Sequence, residues 1–119
     1  MSSRVSMAIV VPIYNEAENL PRIIRQVDEV AQGSGYDFQI ICVDDGSSDR
    51  SAELLDGIES VTVIRHPQNR GYGAALRTGF ANAGGVDYVA FLDADATYPP
   101  AELTRLLRRM EQDDLAAMC

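Results

Sequence analysis

Carboxylates collect where the apolar runs of this 119-residue chain end. Ala8–Ile13 leads into Tyr14-Asn15-Glu16, Ile40–Val43 into Asp44-Asp45-Gly46-Ser47-Ser48-Asp49, and Tyr88–Leu92 into Asp93-Ala94-Asp95-Ala96-Thr97-Tyr98. The remaining run, Val61–Ile64, leads into His66-Pro67-Gln68-Asn69-Arg70-Gly71. Like charges crowded at one edge cost stability unless something positive sits among them, and a divalent cation is the simplest such partner. Asp93 and Asp95, at i and i+2 of an extended chain, point the same way about 6.5 Å apart, so both can face one ligand. Two carboxylates are too few for a closed calcium cage. They suit Mg²⁺ or Mn²⁺, with phosphate oxygens and waters completing an octahedron. Asp-x-Asp alone reads equally as a turn and helix cap; the Asp44–Asp45 pair at a neighbouring strand end shifts the balance toward metal. Asp45 at the end of a second strand could also accept hydrogen bonds from a base N–H or ribose hydroxyls. From the dipeptide alone, though, Asp-Gly-Ser-Ser-Asp is better read as a turn into a helix N-cap.

Other chemistries have weaker support. Gly71-Tyr72-Gly73-Ala74-Ala75-Leu76 lacks the third glycine of the dinucleotide fingerprint and follows the third strand rather than the first. Its glycines suit close helix–sheet packing or a backbone approach to a ligand. A chain without lysine contains no phosphate-binding Gly-x-x-x-x-Gly-Lys loop. His66, the only histidine, precedes a proline and reads as a loop residue rather than a general base. Cys42 sits inside an apolar run with no evident base to activate it. No His/Cys cluster has zinc spacing. Arg70 lies at a sheet exit near a helix start, where it could steady a pyrophosphate or be a solvated loop residue.

The elements that must position these residues follow from periodicity. The four apolar runs are rich in Val and Ile without polar alternation, the pattern of strands buried on both faces. Between them, Leu20, Ile23, Ile24, Val27 and Ala31 form one helical stripe, Tyr72, Leu76, Gly79, Phe80 and Ala83 a second, and Leu103, Leu106, Leu107 and Met110 a third. A shorter helix is expected near Ser51–Ile58. Asn15 with Glu18 resembles a capping box for the first helix, Gly33 and Gly35 end it, and Pro99-Pro100 preset the last. Leu115–Cys119 could open a fifth strand. Strand–helix repeated four times predicts an α/β fold, a parallel sheet with helices on both faces and right-handed crossovers. Ligands of such sheets bind outside the carboxyl ends of the strands, where the carboxylates lie.

Composition bounds the remainder. With 46% hydrophobic and 24% charged residues, the chain reads as one domain over residues 1–119. The net charge is −8, and the first 60 residues carry four arginines against eleven acids. Such a surface repels a phosphate backbone, so a nucleic-acid partner is disfavoured and most of the acidity reads as solvation. Two cysteines, one inside an apolar run and one terminal, fit a reduced intracellular chain. The apolar runs are far shorter than the roughly 20 residues of a membrane span, and the N-terminus lacks a signal-peptide core. The expected location is cytoplasmic.

Val11-Pro12-Ile13-Tyr14-Asn15-Glu16, Val43-Asp44-Asp45-Gly46-Ser47-Ser48-Asp49, Asn69-Arg70-Gly71-Tyr72-Gly73-Ala74-Ala75 and Leu92-Asp93-Ala94-Asp95-Ala96-Thr97-Tyr98-Pro99-Pro100 resemble the consecutive motifs of glycosyltransferase family 2. The match is closest to the dolichyl- and polyprenyl-phosphate mannosyl- or glucosyltransferases. Each motif is weak alone, and four in order at matching strand ends are specific. The resemblance runs from about Ser6 to Leu115. It implies a GT-A fold, Rossmann-like and three-layered with a mostly parallel sheet, and a GDP- or UDP-linked sugar as donor. It implies that Pro12, Tyr14 and Glu16 line the nucleoside pocket, with Val43 and Asp45 beside base or ribose. Asp93, Ala94 and Asp95 would hold the metal and donor diphosphate, Asp95 being the metal-holding residue nearest to a catalytic role. Ala96 stands where this branch often has glycine, and Thr97 where some members place a side chain able to reach the metal.

The implied acceptor is a polyprenyl phosphate, which would put the protein peripherally at the cytoplasmic membrane face. Members of the family continue well beyond the Asp-x-Asp region, so the acceptor half is expected to be absent from these residues. Two other classes stay open: a non-catalytic α/β module that assembles or self-associates through an exposed sheet edge, and a sugar nucleotidyltransferase of related fold.

Overall fold

Hydrophobic runs too short for helices and unbroken by polar residues become strands, and the segments of 3.6-residue period between them become the covering helices. The computed structural model describes residues 6–34 and 37–92, with side chains 30–34 left aside. The order is β1 (Ser6–Ile13), α1 (Leu20–Ser34), β2 (Asp37–Asp45), α2 (Ser51–Asp56), β3 (Val61–His66), α3 (Tyr72–Ala81) and β4 (Tyr88–Phe91). All four strands are parallel in one sheet ordered β3-β2-β1-β4. The expected last helix, the expected fifth strand, Gly35 and Pro99-Pro100 lie outside the described residues.

Side chains alternate across β1 and so divide the core into two layers. Met7, Ile9, Val11 and Ile13 pack with Leu20, Ile23, Ile24 and Val27 of α1 and Leu55 of α2. On the opposite face Ala8 and Val10 pack with Ile41 and Val43 of β2, Ala75 of α3 and Ala83. Two crossovers thus lie on one face and the third on the other, as right-handed connections require when the chain reverses direction after β3. That reversal makes the gap between β1 and β4 the topological switch point, where open α/β sheets bind ligands. β3 and β4 are the outer strands among the described residues.

Two local expectations change. Tyr72 does not join a buried stripe; it is 50% exposed, and the face of α3 that meets the sheet is its small one, Ala74, Ala75 and Gly79. The reason is a close approach: a Cβ on Gly79 would lie 2.3 Å from Val10 Cγ1. Gly79→Ala is therefore expected to cost about 1–3 kcal/mol by overpacking. Adding Val10→Ala to it should cost less than the two changes summed, which urea unfolding of the four chains reads as a coupling energy. The second change concerns the start of α1. Asn15 and Glu18 form no capping box, because the helix begins at Leu20 and the Glu16 carbonyl accepts the N–H groups of Asn19 and Leu20.

Candidate functional site

Parallel register sets the strand ends level. Ile13 stands opposite Asp44, Asp44 opposite Arg65 and Asp45 opposite His66, so the loops after β1, β2 and β3 leave the same edge side by side. On the other flank of β1, Val10 pairs with Phe91 and its carbonyl accepts the N–H of Leu92 at 2.9 Å, so β4 ends beside β1. Asp93, Ala94 and Asp95 themselves lie outside the described residues.

The first two loops latch onto each other. Asn15 adopts φ +52°, the left-handed region that Asn tolerates better than most residues. Its Oδ1 accepts the N–H groups of Ser48 at 2.7 Å and Asp49 at 3.2 Å, and its own N–H donates to Ser47 Oγ at 3.0 Å. Glu16 N–H donates to Ser51 Oγ at 3.0 Å and Ala17 N–H to Asp49 Oδ2 at 3.2 Å. The Ser51 hydroxyl and N–H, with the Ala17 N–H, hold the Asp49 carboxyl below its ordinary pKa despite some desolvation. The turn-forming residues of Asp-Gly-Ser-Ser-Asp thus fix the neighbouring loop as well as their own.

Asp44 and Asp45 are each 3% exposed, and protein groups satisfy both. Asp44 Oδ1 accepts the Ser47 N–H at 3.0 Å, and Oδ2 faces Arg65 Nε at 3.7 Å. The Arg65 guanidinium also reaches the Ala52 carbonyl at 3.0 Å and pairs with Asp56, tying β3 to α2. Asp45 Oδ1 accepts the Arg70 N–H at 2.9 Å and lies 2.7 Å from His66 Nδ1. Its Oδ2 accepts the Gly71 N–H at 2.9 Å and Asn69 Nδ2 at 3.2 Å. Burial pushes the Asp45 pKa up, but the His66 hydrogen bond, the two backbone N–H groups and the attraction of His66 outweigh it, leaving the pKa below the ordinary value of 3.8.

The structure places the residues that the sequence singled out. The Asp44–Asp45 pair needs no metal, because Arg65, His66 and backbone N–H groups supply its positive partners. Asp45, which the resemblance sets beside base or ribose, gives three of its hydrogen bonds to the β3–α3 loop and one to His66 of β3. Val43, assigned to the same place, has its side chain in the core. His66 is not a loop residue: it closes β3, is 7% exposed and makes a second hydrogen bond, Nε2 to Thr78 Oγ1 at 2.8 Å. A polar residue just past an apolar run, level with an acidic pair on the next strand, was the available signal. Arg70 meets Asp45 through its backbone N–H, and its side chain is exposed. Cys42 is buried and its thiol pKa is pushed up to about 12, which makes it inert as the sequence suggests.

What remains open to a ligand at this edge is a rim. Tyr14 is 48% and Tyr72 50% exposed on either side of the β2 exit, and Pro12 and Glu16 are half-buried, with Glu16 Oε2 accepting Asn19 Nδ2 at 2.9 Å. Among the described residues no group of three or more His, Cys, Asp or Glu side chains could hold a metal ion.

The sequence pattern of glycosyl transferase family 2 matches residues 8–119. The chain belongs to that family. Among curated relatives, it is 44% identical over 114 residues to the undecaprenyl-phosphate 4-deoxy-4-formamido-L-arabinose transferase of Pseudomonas paraeruginosa, covering 89% of this chain and 32% of the relative. It is 43% identical over 111 residues to the protein of the same name in Pseudomonas fluorescens, covering 87% and 31%. This family 2 chain thus spans about a third of the length of the curated relatives it matches. Among solved structures, S. aureus TarS in complex with UDP superposes with a TM-score of 0.76 at 18% identity, covering 91% of this chain and 32% of that one. The likeness establishes the fold as the GT-A arrangement, α/β with a parallel sheet, in agreement with the expectation from the four motifs. No helix among the described residues of this family 2 chain is long and apolar enough to cross a membrane.

Proposed function

We propose that the chain forms the donor-binding portion of a metal-dependent glycosyltransferase that passes a sugar from a nucleoside diphosphate to a polyprenyl phosphate. The observation that carries this reading is the identity of 44% over 114 residues with a transferase named for undecaprenyl phosphate. The UDP complex of a protein with the same fold supports a nucleotide sugar as donor. The nucleoside lies against Pro12, Tyr14 and Glu16, and Asp93, Ala94 and Asp95 meet the diphosphate and a Mg²⁺ or Mn²⁺ ion. A cation held there supplies Lewis-acid stabilisation of the leaving diphosphate. The acceptor oxygen forms the new bond to the anomeric carbon as the bond to the diphosphate oxygen breaks. A lipid phosphate arrives already ionised, so no strong protein base is required. Such an acceptor brings the protein to the cytoplasmic membrane face.

Calorimetry with UDP and with GDP, each with Mn²⁺ or with a chelator, tests the donor half of the reading and names the base. The expected result is metal-enhanced binding of one nucleotide. Asp95→Ala should bind in Mn²⁺ only as tightly as the wild type does in chelator. Metal-independent or undetectable binding by the wild type would overturn the reading.

A further inference from the structure

Three buried or half-buried side chains from three elements line up beneath the site. Thr78, in the body of α3, places its hydroxyl 2.8 Å from His66 Nε2, and His66 Nδ1 lies 2.7 Å from Asp45 Oδ1. The Asp45 carboxylate then holds the N–H groups of Arg70 and Gly71 and the amide of Asn69. An ionised carboxylate only accepts, so Nδ1 carries a hydrogen, while the Thr78 hydroxyl, donor and acceptor both, can meet Nε2 with or without a proton. Asp45 thereby keeps the hydrogen on Nδ1, and the Thr78 contact fixes the ring orientation. Downstream, residues 67–70 are all exposed, and Gly71 stands at φ +101°. Burial contributes little to the shape of that loop, so the bonds to Asp45 largely determine it.

We propose that His66 is a positioning residue for donor binding: it orients the Asp45 carboxylate and, through it, the Asn69–Gly71 backbone at the mouth of the nucleotide site. The role rests on the donor-site reading given above. His66 touches no substrate in this scheme, and Thr78 acts on the loop only through it. Removing His66 takes one donor from Asp45 and frees its carboxylate to turn away from the two backbone N–H groups, whereas removing the Thr78 hydroxyl loosens the His66 ring that holds it.

The test combines backbone exchange with nucleotide affinity on the whole chain. His66→Phe keeps the ring and removes both nitrogens, His66→Asn retains an N–H donor near the Nδ1 position, and Thr78→Val removes the hydroxyl at constant shape. Amide hydrogen exchange at Arg70 and Gly71, followed by NMR, should quicken about tenfold or more in His66→Phe. It should stay within about threefold of wild type in His66→Asn and fall between in Thr78→Val, while the core amides of Val10 and Ile41 stay unchanged. Affinity for UDP or GDP with Mn²⁺ should weaken about tenfold in His66→Phe and recover in His66→Asn. Unaltered exchange at Arg70 and Gly71 overturns the proposal, as does nucleotide affinity that ignores faster exchange. Where His66→Phe does not fold, Thr78→Val decides in the same two ways. A wild type that binds neither nucleotide overturns the donor reading instead, and is recognised because the exchange differences persist without ligand.

Discussion

Gly46→Ala is expected to destabilise the chain by about 4 kcal/mol or more and to abolish nucleotide binding with it. Two effects add. Gly46 stands at φ +73°, where a side chain costs about 1–2 kcal/mol. The added Cβ would also lie 2.4 Å from the Asn69 backbone nitrogen and 2.5 Å from the Gln68 carbonyl carbon. Neither is a flexible side-chain end, so the β3–α3 loop must move away, and moving it pulls the Arg70 and Gly71 N–H groups off a buried carboxylate. Each such loss costs about 1–3 kcal/mol. Gly71→Ala is the matched control: its φ is +101°, yet nothing lies within 4 Å of the position a Cβ would take. It should show the backbone cost alone, about 1–3 kcal/mol. Urea unfolding of both variants separates strain from collision, and equal losses would refute the steric part.

Asp45→Asn is expected to cost about 2–6 kcal/mol at neutral pH, because two buried donors lose their acceptor at about 1–3 kcal/mol each. The asparagine NH₂ would face two donors where a carboxylate oxygen now accepts two hydrogen bonds. Set against a typical domain stability of about 5–15 kcal/mol, that is a large fraction. The same residue shapes the acid limb of stability. Its folded pKa lies below the ordinary value of 3.8, so its contribution is complete above that value and is lost as pH falls through the folded one. Wild-type stability should therefore decline below about pH 4, and the decline should be shallower in Asp45→Asn, which has no carboxyl to protonate there. Urea midpoints at pH 7 and pH 3 measure both effects, and parallel pH profiles for the two chains would contradict the assignment.

Much of the fold is legible in residue order. The Val- and Ile-rich runs of β1 and β2 can be buried on both faces only as inner strands, while the run of β3 lies at an edge of the described sheet and is half-exposed. The stripe Leu20, Ile23, Ile24 and Val27 can bury its apolar side only as a helix on that sheet. Both are properties of neighbours in sequence, which explains why the strands fall where expected, extended at most by a few residues at each end. The start of α1 was less legible, because Asn15 serves the Ser48–Asp49 loop rather than its own helix. Competition between a local cap and a partner more than 30 residues away is settled by tertiary contact.

The candidate site divides along the same line. Sequence alone determined the fold class, the order of the four strand ends, the carboxylates placed there and the family resemblance, since each depends on residue types at short spacing. Only the tertiary structure decided which carboxylates the protein itself satisfies. Register brings His66 level with Asp45 and Arg65 level with Asp44, partners 21 residues apart in the chain. The opening picture of an acidic edge in need of a cation thereby loses the β2 exit. Asp44 and Asp45 are neutralised by hydrogen bonds and neighbouring charge, because a buried carboxylate must find its donors within the fold. Asp93 and Asp95, outside the described residues, are the pair proposed above to meet a cation.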